Sequence, residues 1–186
     1  MSKIFPVIIA ITFFLASCSI RQSPDSEQVA ASEIYTEIFR NDSSPDRKGL
    51  HCENIDLVVN STTDNRRFEK YDWQWASKAF PQIKRDTWDD FVQANSQPLP
   101  FPNDLNFGCK YSLRDLEQNP RDWATESSLM IYSFSQIGFD LSRKQAFVSR
   151  FVSFAHSGNG VVYFLELVDG HWNVTKAVEV FRVDYD

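Results

Sequence analysis

The chain of 186 residues has a formal net charge of −6 at pH 7, and 42% of its residues are hydrophobic and 15% aromatic. A chain of this length suits one domain, and so many aromatic side chains favour a folded domain because their burial offsets chain entropy. The excess of negative charge repels phosphate backbones, so the composition argues against a nucleic-acid-binding protein.

The N-terminus has the pattern of an export signal. Lys3 supplies one positive charge, and an apolar run then extends from Ile4 to Ala16. A run of roughly 13 residues is too short for a resident membrane helix and fits the apolar region of a signal peptide. We therefore predict a signal peptide over residues 1–17.

The apolar run ends in Leu15-Ala16-Ser17-Cys18. This sequence resembles the bacterial lipobox, in which one large aliphatic residue and two small residues precede the Cys that receives the lipid. The resemblance implies a thioether-linked diacylglycerol on Cys18, cleavage before Cys18, and acylation of the new amine. Acyl chains of this kind anchor a protein to the membrane. The alternative is an ordinary secretory signal that happens to contain a Cys.

The residues after the lipobox bear on where the domain sits. Ser19 stands where Gram-negative lipoproteins retained in the inner membrane carry Asp, so the resemblance favours the outer membrane. Residues 18–25 contain no apolar run and are expected to form the lipidated Cys and a flexible tether. One domain is expected over residues 26–186.

Helical patterns dominate the first part of this domain. Residues 26–40 place apolar side chains on one stripe at helical spacing, which predicts an amphipathic helix. Asp72 is expected to cap a short helix that Pro81 stops. Between these helices, the β-branched run Ile55–Val59 predicts one short strand.

Two further helical segments are expected between residues 87 and 115. Thr87 is expected to cap a helix that buries Trp88, Phe91 and Val92. Residues 112–115 are expected to open one more helical turn.

From about residue 128 onward the pattern is that of strands. Four long candidate strands follow one another, over residues 129–139, 145–155, 160–168 and 172–183. Asp169-Gly170 is typical of a two-residue type I′ hairpin turn. One face of this hairpin is expected to be formed by Val161, Tyr163, Leu165, Leu167, Trp172, Val174, Val178 and Val180. The expected fold class is α+β, with N-terminal helices followed by an antiparallel β-meander of about four strands and one earlier short strand.

Several motifs form a series along the mature chain. They are Ile55–Val59 with Thr62, Asp90-Phe91 with Asn95 and Leu99, Phe134–Phe139, Gln145–Val148, Gly158–Leu167, and Gly170-His171-Trp172. In these motifs the mature chain resembles a group of secreted bacterial proteins and lipoproteins with no assigned activity. The resemblance implies a single α+β domain and carries no catalytic residue to transfer.

Two cysteines remain once Cys18 is set aside. Cys52 and Cys109 form an even remainder in an exported chain, which favours a disulfide between them. Closing a loop of roughly 57 residues would stabilise the domain by about 4 kcal/mol in the chain-entropy model. The alternative is two buried free thiols. No His partners lie at the spacing of a zinc site, so neither a metal nor a cofactor is expected.

The candidate interaction residues are Trp73 and Trp75. Positions two apart cannot share one helix face, so one of the two rings is expected to stay partly exposed. Core packing is the alternative explanation of both residues. Each of the three histidines has an ordinary structural explanation. His51 lies beside a Cys, His156 at a hairpin tip and His171 next to a turn.

These patterns leave two classes of function open. The first is a membrane-anchored envelope lipoprotein with a non-catalytic binding domain, whose acidic surface would suit a basic envelope protein as partner. The second is a periplasmic or surface hydrolase whose site forms only in three dimensions. A pocket with strongly perturbed carboxylates or histidines would favour the hydrolase.

Overall fold

The computed structural model describes residues 24–41, 56–63, 68–103, 105, 110–115, 129–154 and 157–184. The helices are α1 (Pro24–Asn41), α2 (Trp73–Ala79) and α3 (Arg85–Ala94). The strands are β1 (Asp56–Asn60), β2 (Tyr111–Arg114), β3 (Leu129–Phe134), β4 (Gly138–Phe139), β5 (Gln145–Phe154), β6 (Ser157–Val168) and β7 (His171–Asp184). The predicted α+β class is confirmed. Over these ranges, no helix combines the length and the apolar character that crossing a membrane requires.

The seven strands of the described residues belong to one sheet, in the order β2-β1-β3-β5-β6-β7, with β4 paired to β5. β1 runs parallel to β2 and to β3, whereas the other pairs are antiparallel. Gln145, the first residue of β5, lies opposite Glu166 near the end of β6. The β4–β5 turn and the β6–β7 turn therefore lie at the same end of the sheet, which we call the hairpin end.

Side chains of the sheet enter two large hydrophobic clusters and one small one. Helix α1 contributes Ile34, Tyr35 and Ile38 to one of them, which we call the α1 cluster. On the other face of the sheet lies the α3 cluster, to which α2 contributes Ala76 and α3 contributes Trp88 and Phe91. Along β5, Ala146 and Val148 belong to the α1 cluster and Phe147 between them belongs to the α3 cluster, as the two-residue period of a strand requires.

The β6–β7 hairpin confirms the turn prediction and corrects one of the predicted faces. Asp169 and Gly170 have φ angles of 51° and 82°, as a type I′ turn requires. Trp172 and Val174 pack in the α1 cluster as predicted. Val178 and Val180 pack in the α3 cluster, so their predicted face is wrong. The ladder shifts register between Phe164 and Leu165, and the extra residue of β7 at that bulge reverses the alternation beyond it.

Other element predictions are also corrected. Residues 112–115 do not begin a helix, because Tyr111–Arg114 pairs with β1 as a parallel strand. Helix α3 begins at Arg85 with Lys84 as its N-cap, so Thr87 lies inside the helix. Val92 is 50% exposed and not buried, because it lies on the outer side of α3. The strand predicted over 129–139 is divided into β3 and β4, and α1 begins at Pro24, two residues before the predicted helix start.

Candidate interaction surface

The described residues include only some of the predicted site residues. Cys18, Cys52, Cys109, His51 and His156 lie outside them. His171 is exposed at the start of β7. Within the described ranges, no three His, Cys, Asp or Glu residues come together as a metal site.

Trp73 and Trp75 lie on α2, where Asp72 caps the helix by accepting the Trp75 N–H at 2.8 Å. Both indole rings are half-buried and pack against the α3 cluster. The Trp75 ring centroid lies 4.4 Å from that of Tyr71, whose hydroxyl donates to the Val180 carbonyl at 2.9 Å. One side of each Trp ring therefore packs on the domain, and the other side stays in solvent.

Arg85 extends this surface from α2 to α3. Its guanidinium carbon lies 5.2 Å from the Trp73 ring centroid, within the range of a cation–π contact. Its Nε also donates to the Asp89 carboxylate at 2.8 Å, one helical turn further along α3. The contacts of Arg85 on both sides hold its planar side chain against the Trp73 ring.

Next to Arg85, Lys84 joins this surface to the hairpin end. Lys84 Nζ donates to Asp140 Oδ2 at 2.5 Å, and the Asp140 residue is only 2% exposed. The other carboxylate oxygen accepts the N–H groups of Lys144 at 2.6 Å and Gln145 at 2.8 Å. The Ser142 hydroxyl donates to Oδ2 at 2.5 Å. One carboxylate thus organises the whole β4–β5 turn.

These contacts decide the charge of Asp140. Burial opposes its ionisation, but the hydrogen bonds from Lys84, Ser142 and two backbone N–H groups outweigh burial and lower the pKa of Asp140 to about 2. The hydrogen bond to Asp140 raises the pKa of Lys84 in turn. A general acid or base needs a pKa near the working pH. The properties of Asp140 are therefore those of a permanent structural anion.

A second set of polar contacts docks α3 onto residues 136–141, which lead into this turn and begin it. Three side chains of α3 or its C-cap accept backbone N–H groups, with Asp86 bound to Leu141 at 3.0 Å, Asp90 to Phe139 at 2.7 Å, and Asn95 to Gln136 at 2.8 Å. Gly138 lies directly beneath the helix, where any Cβ would meet the backbone of Phe91. The helix therefore lies as close to β4 as contact between the two backbones allows, and it holds one side of the hairpin end in place.

The α1 side of the sheet holds a separate polar network around Arg150, which is only 1% exposed. Its Nη1 donates to Asn159 Oδ1 at 2.7 Å and its Nη2 to the Tyr163 hydroxyl at 3.0 Å. Asn159 in turn donates to Glu179, which also accepts from Arg182. The Arg182 contact, followed by that of Asn159, lowers the pKa of Glu179. The network links β5, β6 and β7 and fixes their register at the end of the sheet opposite the hairpin end.

Sequence reasoning pointed to the two Trp residues but not to Lys84 or Asp140. The signal for Asp140 was present, since Asp at the start of a turn commonly binds backbone N–H groups that follow it. Its pairing with Lys84 joins positions 56 residues apart, which no local pattern contains.

No protein-family model, characterised protein sequence or solved structure matches this chain. The geometry of the described residues, together with the N-terminal sequence, is therefore the basis on which function is argued.

Proposed function

We propose that the protein is a lipoprotein of the bacterial cell envelope, anchored in the outer membrane through Cys18, whose domain binds another envelope protein and is not catalytic. The lipobox-like sequence before Cys18 supports the anchor. In this proposal residues 26–186 form one domain, in which N-terminal helices pack on a C-terminal antiparallel meander.

The start of α1 adds a geometric consequence to this proposal. Helix α1 begins at Pro24, six residues after Cys18. Six residues span at most about 21 Å even when fully extended. A domain attached at Cys18 would stay close to the membrane surface, where its partners would be membrane-bound or membrane-proximal proteins.

The observation that carries the binding function is the pairing of Trp73 with Arg85. Trp and Arg are among the residue types that contribute most energy at protein interfaces. The Trp73 ring is already packed against the α3 cluster, so it loses little conformational freedom on binding, and the Arg85 side chain is 61% exposed to a partner. The net charge of −6 additionally favours a basic partner through long-range attraction.

The use of the carboxylates near this surface also supports binding over hydrolysis. Asp86, Asp90 and Asp140 each accept backbone N–H groups of the segment 136–145. These contacts account for the three carboxylates as structural groups and keep Asp140 ionised at neutral pH. A hydrolase would require an acid or base held near the surface by a different arrangement.

The proposal is tested with the tagged full-length chain in bacterial cells, cross-linked in the living cell and isolated from the membrane fraction. We expect Trp73→Ala to lower the recovery of a specific cross-linked protein about tenfold, as for an interface residue of high energy. Val29→Ala is the matched control, because Val29 is also exposed on a helix and that helix, α1, packs in the cluster on the other face of the sheet. Arg85→Gln, which leaves the Trp73 ring in place, serves as a second variant that does not disturb the α3 cluster.

Two results would contradict the proposal. One is recovery of the same proteins in equal amounts with Trp73→Ala, Arg85→Gln and the native chain. The other is turnover of wall glycan, peptide or ester by the purified protein that is lost with His171→Ala, since the proposal expects that histidine to be dispensable.

A further inference from the structure

Two ring contacts give the direction of α1 on the sheet. The Phe39 ring centroid lies 5.4 Å from that of Tyr132, and the Tyr35 ring centroid lies 5.1 Å from that of Phe134. The Tyr35 hydroxyl also donates to the Ser135 carbonyl at 2.9 Å. Residue 134 of β3 lies nearer the hairpin end than residue 132, because β3 is antiparallel to β5, which begins there. Followed from its C-terminus to its N-terminus, α1 therefore approaches the hairpin end.

The burial of β7 agrees with this direction. Helix α1 contacts β7, and since its second half lies over β3, the contact belongs to its first half. Near the hairpin end, Trp172 is buried and Val174 is half-buried in the α1 cluster. Further along β7, Ala177 and Glu179 pair with residues of the same cluster on β6, yet both are exposed. The first half of α1 therefore lies over the part of β7 that is nearest the hairpin end.

The length of α1 is sufficient to bring its first residue to the hairpin end. Pro24 lies eleven residues before Tyr35, a rise of about 16 Å along the helix axis. Ser149, whose carbonyl accepts the Ser135 N–H, lies four residues after the start of β5, a distance of about 13 Å. The chain that precedes α1 therefore leaves the domain at the hairpin end.

The reach of the tether limits how an anchored domain can be oriented. The chain from Cys18 to Pro24 spans at most about 21 Å, whereas the ten residues of β5 span about 33 Å along the sheet. A tether shorter than the sheet cannot bring the opposite end to the bilayer while the hairpin end points away from it. A domain lying on its side would place more of a chain with a net charge of −6 against anionic lipids, which repel it.

The charges of the hairpin end do not themselves select an orientation. Charged side chains of both signs lie there, namely the cations Lys84, Arg143 and Lys144 and the acids Asp86, Asp140, Glu166 and Asp169. Lys84 is attracted by three of these acids, since Asp86, Asp140 and Glu166 all act on it. The orientation argument therefore depends on the position of the tether and not on attraction between this end and the lipid.

We propose that the tether holds the anchored domain with its hairpin end towards the bilayer, and with the opposite end, where β5 ends and β6 begins, directed away from it. This inference rests on the proposed lipid anchor. Helix α3 also begins at the hairpin end, because Asp86 near its start binds Leu141 whereas Asn95 at its C-cap binds Gln136. Arg85, the first residue of α3, and the Trp73 ring beside it therefore lie in the half of the domain nearest the lipid. A partner that contacts this pair must present its surface close to the membrane.

The test uses the processed protein, purified with its lipid and added to vesicles of phosphatidylethanolamine and phosphatidylglycerol that carry an energy-acceptor dye on a few headgroups. A donor dye is coupled to an azide-bearing amino acid at position 141 or at position 110. Position 141 reports on the hairpin end, because Leu141 lies in the β4–β5 turn and is 92% exposed.

Position 110 is the matched control at the opposite end. Lys110 is exposed and precedes β2, whose first residue aligns across β1 and β3 with the last residue of β5. Since the two positions differ in height by about 30 Å, we expect energy transfer from position 141 to be at least about twofold more efficient than from position 110. Insertion of about twenty Gly and Ser residues between Ser23 and Pro24 lets either end reach the lipid and is expected to remove the difference.

Three results would overturn the orientation and leave the anchor standing. They are equal transfer from the two positions, more efficient transfer from position 110, and a difference that the insertion does not change. Thermal unfolding of both labelled proteins, expected to match that of the unlabelled protein because both positions are exposed, excludes loss of folding as the cause. If the native chain carries no lipid and does not bind the vesicles, the proposed anchor is wrong and the orientation is wrong with it.

Discussion

Gly138→Ala tests how closely α3 is packed on the sheet. The new methyl group would lie less than 3.0 Å from backbone atoms of Phe91, a separation that real Cβ atoms essentially never show. Since non-bonded carbon atoms prefer about 3.5–4.0 Å, α3 must withdraw by roughly 1 Å. The same movement lengthens the hydrogen bond from the Phe139 N–H to Asp90, now 2.7 Å, to the limit of hydrogen bonding or beyond.

The expected cost follows from these two effects. Overpacking of a close contact costs about 1–3 kcal/mol, and a weakened hydrogen bond adds about 0.5–1.5 kcal/mol. We therefore expect Gly138→Ala to lower the free energy of unfolding by about 3 kcal/mol. For a chain of this size that loss corresponds to a decrease in Tm of about 6–12 °C.

The assay is urea unfolding of the purified protein, followed by Trp fluorescence. Gly170→Ala is the matched control, because it has the same chemical change with no atom within 4 Å but with a φ of +82°. The control is expected to lose only about 1 kcal/mol, the cost of left-handed backbone in a residue with a Cβ. A Gly138→Ala variant no less stable than Gly170→Ala would refute the close packing of α3.

Two further predictions follow from the ion pair and the cysteines. Asp140→Asn is expected to lower the unfolding free energy by about 1–2 kcal/mol at pH 7, after allowance for screening of the half-exposed Lys84 partner. Because the pKa of Asp140 is about 2 in the folded chain and 3.8 ordinarily, this contribution is present above about pH 4 and is lost as the pH falls through 2. If urea unfolding shows the same stability difference between the native chain and Asp140→Asn at pH 7 and at pH 2, the ion pair is wrong. Parallel strands β1 and β2 begin four residues after Cys52 and two residues after Cys109, so the chain reaches both strands from the same end of the sheet. Thiol labelling under denaturing conditions without reductant is therefore expected to leave both cysteines unmodified, and modification of both would exclude the bridge.

Local patterns predicted the elements that local chemistry determines. Asp169-Gly170 formed the expected turn because two consecutive residues with positive φ suit this dipeptide. Asp72 capped α2 because its carboxylate reaches an N–H three residues later. The strand pattern after residue 128 was visible because these strands are long and rich in β-branched and aromatic residues.

Contacts between distant segments explain the errors. Residues 111–114 have no strong strand pattern of their own, and pairing with β1 more than fifty positions earlier makes them a strand. Val178 changed face because a bulge in β7 depends on the ladder with β6 and not on the β7 sequence alone. Propensity is a weak prior where tertiary pairing supplies the hydrogen bonds.

Only some residues of the candidate surface could be predicted from the sequence. Trp73 and Trp75 attracted attention because aromatic side chains stand out in composition. Leu141 did not, since a leucine in a five-residue segment between strands shows no sign of whether another element covers it. In the structure Leu141 is 92% exposed, and its N–H is bound by Asp86 of α3, a helix 55 positions away in sequence.

The central claim, that this is a lipid-anchored envelope domain, is tested most directly at Cys18. Cells expressing the full-length chain would be labelled with an alkyne fatty acid, and the protein's label, mass and membrane fraction measured for the native chain, Cys18→Ala and the control Cys109→Ala. The account predicts label on the native chain and on Cys109→Ala, cleavage before residue 18, and neither label nor correct processing in Cys18→Ala. Equal labelling of Cys18→Ala, or a native chain that carries no lipid, would contradict it.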